Sequence, residues 1–300
     1  TAHGYDKRFS AAVTAASSVI GPIIPPSIPM VLYASIAEVS VGKLFLGGII
    51  PGFLMGLSMM ILIYVQAIKR NYPREEGVSL RKIIKIFFDT IPALLTPVII
   101  IGGMLSGIFT ATEAAAIAVG YAFILSAFIY RELKLKDIPQ ILIDTVLSTV
   151  VVTFILSMAS AAGWILVRSR AGQAMADFVL SFTRHPAMVL LLLNILFLLL
   201  GCVMELGAIM ILVLPVLIPL LQSVGIDLVH FGVVMVVNLM IGFITPPFGM
   251  ALFVLSSITK LTVEEMVKDT APFIIPLVIV LFLITYIPTL VMAIPNWLMP

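Results

Sequence analysis

The sequence has 300 residues, of which 61% are hydrophobic and only 11% are charged. Soluble domains average about half apolar and about a quarter charged residues, so this composition excludes a water-soluble globular protein. The net charge of +2 is too small for a nucleic-acid-binding protein, and a single cysteine, Cys202, excludes a disulfide framework or a cysteine-ligated metal centre. A mean hydropathy of +1.22 predicts an integral membrane protein.

Eight long apolar stretches predict the membrane-embedded elements, at 10–36, 44–68, 86–106, 110–130, 144–167, 188–220, 231–257 and 271–293. Pro pairs break the first and the seventh stretch. The sixth is interrupted near its middle by Gly201, Glu205 and Gly207. This interruption favours a re-entrant helical hairpin whose tip stops inside the membrane, whereas every other stretch is predicted to cross once.

The basic residues test this topology. With 188–220 as a hairpin, thirteen of the seventeen Lys and Arg residues fall on one side, and the other side has only Lys43, Arg168, Arg170 and Arg184. The positive-inside rule makes the richer side cytoplasmic. Counting 188–220 as a full crossing gives a weaker division of eleven against six. The hairpin is therefore the preferred interpretation.

An internal repeat relates the two Pro-broken stretches. GYDKRFSAAVTAASSVIGPIIPPS at 4–27 aligns without gaps with GIDLVHFGVVMVVNLMIGFITPPF at 225–248, and Pro51 aligns with Pro272 at the same offset. The predicted topology gives the two copies opposite directions, which is typical of secondary transporters with a binding site at the membrane midplane. In the second copy the hairpin precedes the broken helix. We therefore expect a first hairpin before Thr1 and interpret the chain as the C-terminal part of a longer polypeptide.

The Pro pairs predict unpaired carbonyls inside the membrane. A proline removes the hydrogen bond to the carbonyl four residues earlier, which frees Gly21 and Pro22 in the first copy and Gly242 and Phe243 in the second. Further oxygen donors lie close in sequence: Ser17, Ser18, Ser27, Asn238 and Thr245. Oxygen ligands without a local carboxylate suit Na⁺ better than a transition metal. A new half-helix is expected at about Ser27 and Phe248, with its positive end facing the break. Packing kinks are the alternative interpretation of the Pro pairs.

The charged residues restrict the ligand. No Lys or Arg occurs in 9–42, 44–68, 86–130 or 185–259, so half-helix ends, bound cations or residues outside this sequence must compensate an anionic substrate. This pattern favours cation co-transport.

The acidic residues near the membrane divide by sequence context. Glu205, at the predicted hairpin tip, is a candidate for the ion or substrate site and equally a candidate for orienting the tip backbone. The Thr110-x-x-Glu113 spacing predicts a capping box. Asp6 and Asp227 are predicted turn or cap residues.

Three segments resemble the large membrane subunit of the tripartite ATP-independent periplasmic (TRAP) transporters: GYDKRFSAAVTAASSVIGPIIPPSIP, GGMLSGIFTATEAAAIAVGYA and GIDLVHFGVVMVVNLMIGFITPPFGMALFV. The resemblance implies an all-α, elevator-type, Na⁺-driven importer of organic acid anions such as C4-dicarboxylates or sialic acid, which works without ATP in the bacterial or archaeal cytoplasmic membrane. It implies two partners, a small membrane subunit and a periplasmic substrate-binding protein. Many members have an Asp close to the position of Glu205.

The resemblance, the Pro breaks and the acidic residue of the hairpin tip together define one candidate set for substrate and ion binding: Ser17, Ser18, Gly21, Pro22, Pro25, Pro26, Ser27, Glu205, Asn238, Gly242, Phe243, Thr245, Pro246, Pro247 and Gly249. The Na⁺ ligands are expected among Ser18, Gly21, Asn238, Gly242 and Thr245. The predicted organisation is the end of a first repeat at 1–68, connecting or scaffold helices at 69–143 and a second repeat at 144–300.

The sequence leaves three alternative functions. The first is an inverted-repeat anion transporter that needs no binding protein, and the second is a passive channel. An intramembrane hydrolase is disfavoured because no His lies mid-span and no two Asp residues face each other.

Overall fold

A computed structural model of the protein describes residues 4–73 and 79–299, and over these residues the chain is helical without strands. The α-helices are α1 Lys7–Ser18, α2 Ile28–Ala37, α3 Val41–Lys69, α4 Leu80–Leu105, α5 Ala111–Ile124, α6 Ile138–Arg168, α7 Ala171–Phe182, α8 Pro186–Gly201, α9 Leu206–Ser223, α10 Leu228–Phe243, α11 Met250–Thr259, α12 Val263–Tyr286 and α13 Thr289–Leu298. The predicted all-α class is confirmed. The chain forms two compact units, one of residues 1–73 with 156–300 and one of residues 74–155.

The smaller unit contains α4, α5 and the first half of α6. The predicted capping box of α5 is present: Thr110 Oγ1 accepts from the Glu113 N–H at 3.3 Å, and Glu113 Oε2 accepts from the Thr110 N–H at 2.8 Å. A π-helical turn, Leu125–Ile129, extends α5. The Tyr121 hydroxyl donates to the Pro92 carbonyl at 2.8 Å and so joins α5 to α4.

The larger unit is built around α10. Every residue from Val229 to Gly242 is buried. This helix packs against α2, α3, α8, α9 and α12. Because all of its faces meet protein, its sequence is apolar all round rather than amphipathic.

The packing in this unit follows the sequence repeat. α1 packs on α11 and α12, whereas α10 packs on α2 and α3. The helix that follows each broken pair also contacts its counterpart, because α3 packs on α12. Asp6 and Asp227 occupy equivalent N-cap positions at the starts of α1 and α10, as predicted. Pro51 and Pro272 both lie inside the following helices, α3 and α12.

Polar and aromatic residues join the ends of α1, α3 and α12. Arg70 forms an ion pair with Asp269 at 2.5 Å, and Arg8 forms one with Glu265 at 2.6 Å. The Arg70 guanidinium also lies 5.0 Å from the centroid of the Phe9 ring. The hydrogen bond that Arg70 donates to the Asp269 carboxylate raises the pKa of Arg70 above its ordinary value. These contacts fix the first helix of one repeat copy to the last long helix of the other.

Two of the predicted elements need correction. The single crossing over 271–293 is wrong, because α12 ends at Tyr286 and a separate helix, α13, begins at Thr289. Pro288 has no N–H for the carbonyl of Ile284, and His230 of α10 contacts that carbonyl instead, at 2.8 Å from Nε2. The segment 170–184, interpreted as a loop, contains α7, which packs against α9 and is bent by 119° from α8.

Among the described residues, five helices are long and apolar enough to cross a membrane, and the bent pair of α7 and α8 adds a sixth. The five are α3, α4, α5 with its π-helical turn, α9 and α12. The shorter apolar helices include α2, α10 and α11, which are three of the four helices in the two Pro-broken stretches.

Candidate functional site

The first broken stretch is a helix, a nine-residue break and a second helix. α1 ends at Ser18, and α2 begins at Ile28 with Ser27 as its N-cap. Ser27 Oγ accepts from the Met30 N–H at 3.2 Å, and this start agrees with the predicted half-helix. The Pro25–Pro26 bond in the break is cis.

The carbonyls of the first break are only partly free. The prediction that the Pro22 carbonyl lacks a donor is wrong, because the Ser27 hydroxyl donates to it. The chain turns tightly after Ile20, whose carbonyl accepts from the N–H groups of Ile23 at 2.9 Å and Ile24 at 3.0 Å. The Gly21 carbonyl accepts no hydrogen bond from the described residues. One of the two predicted oxygens therefore remains open.

The first break rests against glycines of α3. A Cβ at Gly48 would lie 2.3 Å from the carbonyl oxygen of Ile23, and one at Gly52 would lie 2.4 Å from Cγ1 of Ile24. Both distances are shorter than any normal contact, so only glycine admits the break at this position. The Gly48-x-x-x-Gly52 spacing is the small-residue pattern that allows close backbone approach in membranes.

The second broken stretch has the same plan. α10 ends at Phe243, and α11 begins at Met250, two residues later than the predicted start at Phe248. Its N-cap is Gly249, whose φ of +50° is strained for other residues. The Pro246–Pro247 bond is cis.

The predicted free carbonyl at Gly242 is also wrong. The N–H of Thr245 donates to it at 2.9 Å, because the chain tightens into a turn when the helical donor is lost. The Phe243 carbonyl accepts no hydrogen bond from the described residues. The Thr245 hydroxyl donates to the Ile241 carbonyl at 2.7 Å and retains lone pairs for another ligand.

The end of α8 and the start of the α8–α9 connection contact the last turn of α10, directly before the second break. A Cβ on Gly242 would lie 2.6 Å from the carbonyl carbon of Gly201, the last residue of α8, and 3.1 Å from the Cys202 nitrogen. The two backbones are therefore in contact, and only glycine at 242 permits it. The four connecting residues, 202–205, are those predicted as the hairpin tip.

About three turns into α10, and one turn before Gly242, the helix carries a fully buried amide. Asn238 is 0% exposed, and its Nδ2 donates to Asn194 of α8, at 2.8 Å to Oδ1 and 3.0 Å to the carbonyl. Asn194 in turn donates to Thr285 Oγ1 of α12 at 3.0 Å. The Asn238 Oδ1 has no hydrogen-bond partner on the described residues. A buried oxygen without a donor is an available ligand for a cation.

Glu205 occupies the position that caps α9. Its Oε2 accepts from the Ala208 N–H at 3.0 Å, and its residue is exposed in this chain. This contact satisfies the interpretation that Glu205 orients the tip backbone. Whether its carboxylate also contacts an ion or substrate stays a prediction.

The serines of the first copy lie on an open face of α1. Ser17 and Ser18 are exposed, and their hydroxyls donate within the helix, to Thr14 at 3.1 Å and Ala15 at 2.7 Å. Ser17 is the repeat counterpart of Asn238, but its side chain has no contact comparable to the one with Asn194. Among the described residues no hydrogen bond joins the first break to the second.

Sequence reasoning missed Asn194 and Thr285. Each is a polar residue in a strongly apolar helix, and Asn194 interrupts the run LLLLNILFLLL. A polar residue at such a position is a functional candidate by default, and this signal was sufficient to find Asn194. Thr285 had no such signal, because a threonine can bond to its own helix backbone.

The fold defines an all-helical protein with several helices long and apolar enough to cross a membrane, and the comparisons assign it to a transporter family of the bacterial inner membrane. The sequence profile described as the tripartite ATP-independent periplasmic transporter, DctM component, matches residues 1–290. The chain therefore belongs to this family of transporter large permease subunits, which are not enzymes, and the resemblance seen in the sequence is confirmed.

The names of similar proteins refer to different organic acids. The sialic acid TRAP transporter large permease protein SiaM of Vibrio cholerae is 41% identical over 292 residues, covering 97% of this chain and 68% of the relative. The C4-dicarboxylate TRAP transporter large permease protein DctM of Pseudomonas aeruginosa is 39% identical over 295 residues, covering 98% of this chain and 69% of the relative. The 2,3-diketo-L-gulonate TRAP transporter large permease protein YiaN of Escherichia coli is 35% identical over 294 residues, covering 98% of this chain and 69% of the relative.

Proposed function

We propose that this chain is the transport subunit of a Na⁺-driven importer of an organic acid anion, which a periplasmic binding protein delivers and a small membrane subunit accompanies. Family membership supports the transport of an organic acid. The observation that carries the Na⁺ coupling is the buried, donor-free oxygen of Asn238 beside the second break.

The Na⁺ proposal rests on the oxygens around this break. Asn238 Oδ1 and the Phe243 carbonyl accept no hydrogen bond from the described residues, and the Thr245 hydroxyl retains lone pairs. Neutral oxygens in an apolar surrounding favour a monovalent cation, since an unpaired buried oxygen is costly and Na⁺ offsets that cost. In the first copy the open carbonyl is that of Gly21, so at least two Na⁺ ions, one for each copy, are proposed.

The inverted-repeat part of the proposal is supported by packing. The contacts of α1 with α11 and α12 have counterparts in those of α10 with α2 and α3. Such reciprocal packing is expected when two copies are related by a pseudo-twofold axis. The contact of Gly201 with Gly242 supports a re-entrant α8–α9 hairpin, because it brings the tip to a broken helix rather than to the far side of the membrane.

The anion is proposed to bind without a basic side chain from these segments. The half-helices α2 and α11 begin at the two breaks, and their N-terminal N–H groups favour a carboxylate. Bound Na⁺ supplies further positive charge. This arrangement couples the ion to the substrate, since the anion binds less favourably when the cation is absent.

The test is uptake by the complete complex in proteoliposomes. Radiolabelled sialic acid, succinate and 2,3-diketo-L-gulonate are supplied with the binding protein, without ATP, under an inward Na⁺ gradient. Accumulation of one acid that needs both Na⁺ and the binding protein is expected. Equal uptake with K⁺ in place of Na⁺ would exclude Na⁺ coupling, and equal uptake without the binding protein would support a transporter that binds its anion directly.

A further inference from the structure

Thr285, Asn194 and Asn238 form a chain of hydrogen bonds across three helices. The Thr285 hydroxyl donates to the Leu281 carbonyl at 2.7 Å within α12. Asn194 Nδ2, from α8, donates to that hydroxyl oxygen at 3.0 Å. Asn238 Nδ2, from α10, donates to Asn194 Oδ1 at 2.8 Å. All three residues are buried, with exposures of 0–2%.

The direction of this chain of hydrogen bonds is fixed by two backbone carbonyls, those of Leu281 and Asn194, which can only accept. The Leu281 carbonyl uses the one hydrogen of the Thr285 hydroxyl, so that hydroxyl can only accept from Asn194. The Asn194 amide must then present its oxygen to Asn238. The Asn194 backbone carbonyl, at 3.0 Å, also requires a donor from Asn238. The nitrogen of the Asn238 amide is therefore held towards α8, and its oxygen is the free atom.

We infer that Asn194 and Thr285 are positioning residues for cation coupling, which hold the Asn238 amide with its oxygen directed to the ion. This inference rests on the proposed role of Asn238 as a Na⁺ ligand. An amide turned by 180° would present N–H groups, which repel a cation. The chain of hydrogen bonds disfavours the turned amide, because its oxygen would then lie against two acceptors, the Asn194 carbonyl and Oδ1.

The same chain joins the hairpin arm to the centre of the larger unit. Asn194 lies in α8, seven residues before Gly201, the last residue of that helix. Gly201 contacts Gly242, in the last turn of α10 before the second break. Loss of the Thr285 hydroxyl leaves the Asn194 amide free to rotate, and Asn238 can follow. The expected consequence is weaker Na⁺ binding, with little change in the contacts that the substrate makes elsewhere.

The decisive pair of variants is Thr285→Val and Thr285→Ser in the full-length transporter. Valine keeps the shape and removes the hydroxyl, whereas serine keeps the hydroxyl. Na⁺ titrations of uptake, and of Na⁺-induced thermal stabilisation against choline chloride, give the half-saturating Na⁺ concentration. We expect Thr285→Val to raise it about tenfold, which corresponds to one hydrogen bond, with the maximal rate retained. Thr285→Ser should restore the wild-type value.

Asn194→Ala breaks the chain at its second link and should shift the Na⁺ dependence in the same direction. It also serves if Thr285→Val fails to fold. Lower thermal stability in these variants with an unchanged half-saturating Na⁺ concentration would overturn the inference and leave a purely structural role. Asn238→Ala separates the two proposals: if it alone shifts the Na⁺ dependence, the Na⁺ site stands and the positioning role falls. If it causes no shift, the Na⁺ site itself is wrong.

Discussion

Gly242 and Gly201 are in backbone contact: a Cβ on Gly242 would lie 2.7 Å from the Cα of Gly201. Because the position of a Cβ is fixed by the backbone and the Gly201 atoms are main chain, no rotamer change can relieve the overlap. The seating of the α8–α9 connection on the second break therefore depends on a hydrogen in place of a side chain at position 242.

Gly242→Ala is predicted to separate these two backbones. Overpacking of this kind costs about 1–3 kcal/mol, and uptake should fall because the hairpin tip leaves the second break. Gly102→Ala is the matched control, since nothing lies within 4 Å of a Cβ at Gly102 in α4. Thermal stability of the solubilised complex and uptake are measured for both. Equal behaviour of the two variants would contradict the close contact.

Pro246→Ala is predicted to weaken Na⁺ binding. Alanine supplies an N–H that can bond to the Gly242 carbonyl, which now accepts from Thr245 at 2.9 Å. α10 would then extend and move Thr245, so the half-saturating Na⁺ concentration should rise roughly tenfold. Pro97→Ala, inside α4, is the control and should leave Na⁺ dependence unchanged. A wild-type Na⁺ titration for Pro246→Ala would favour a packing kink over an ion site.

The two ion pairs at the helix ends should differ in strength. Asp269 has a side-chain exposure of 15%, and its partner Arg70 also stacks on Phe9. Arg70→Gln is predicted to destabilise the protein by about 1 kcal/mol. Arg8→Gln should lower the stability less, because the Arg8 side chain is 50% exposed. Melting temperatures at low and high salt test this order, and a larger loss for Arg8→Gln would reverse it.

Opposite membrane sides are predicted for the segments after α3 and around α7. Cys202→Ser removes the only cysteine of the sequence and gives a background for labelling. Asn71→Cys should react with an impermeant maleimide only from the cytoplasm, and Gln173→Cys only from the periplasm; both positions are exposed. Labelling of both from one side would remove the argument for inverted repeats.

The sequence predicts the two breaks because their cause is local. A Pro pair cannot continue the hydrogen bonds of a helix, wherever that helix packs. The same residues do not reveal which carbonyls stay open. The donors that reach Pro22 and Gly242 come from Ser27 and Thr245, and their positions depend on the shape of each turn.

Long-range partners were less accessible to prediction. Asn238 was predicted as a ligand from its position before the Pro pair, but the direction of its amide depends on Asn194, 44 residues away, and on Thr285 beyond it. No periodicity or spacing pairs such residues. The prediction of a loop at 170–184 was wrong for a different reason. The helix α7 has only 12 residues, and the arginines on either side of it are typical of a loop.

The enclosure of α10 has a consequence for the bilayer itself. A change in acyl-chain length acts on helices that meet lipid, which respond by tilting or bending. α10 is buried along Val229–Gly242, whereas Ile100 is the one buried residue of α4 among those described. A thicker or thinner bilayer should therefore reorient helices such as α4 and leave the depth of Asn238 within its protein surroundings unchanged.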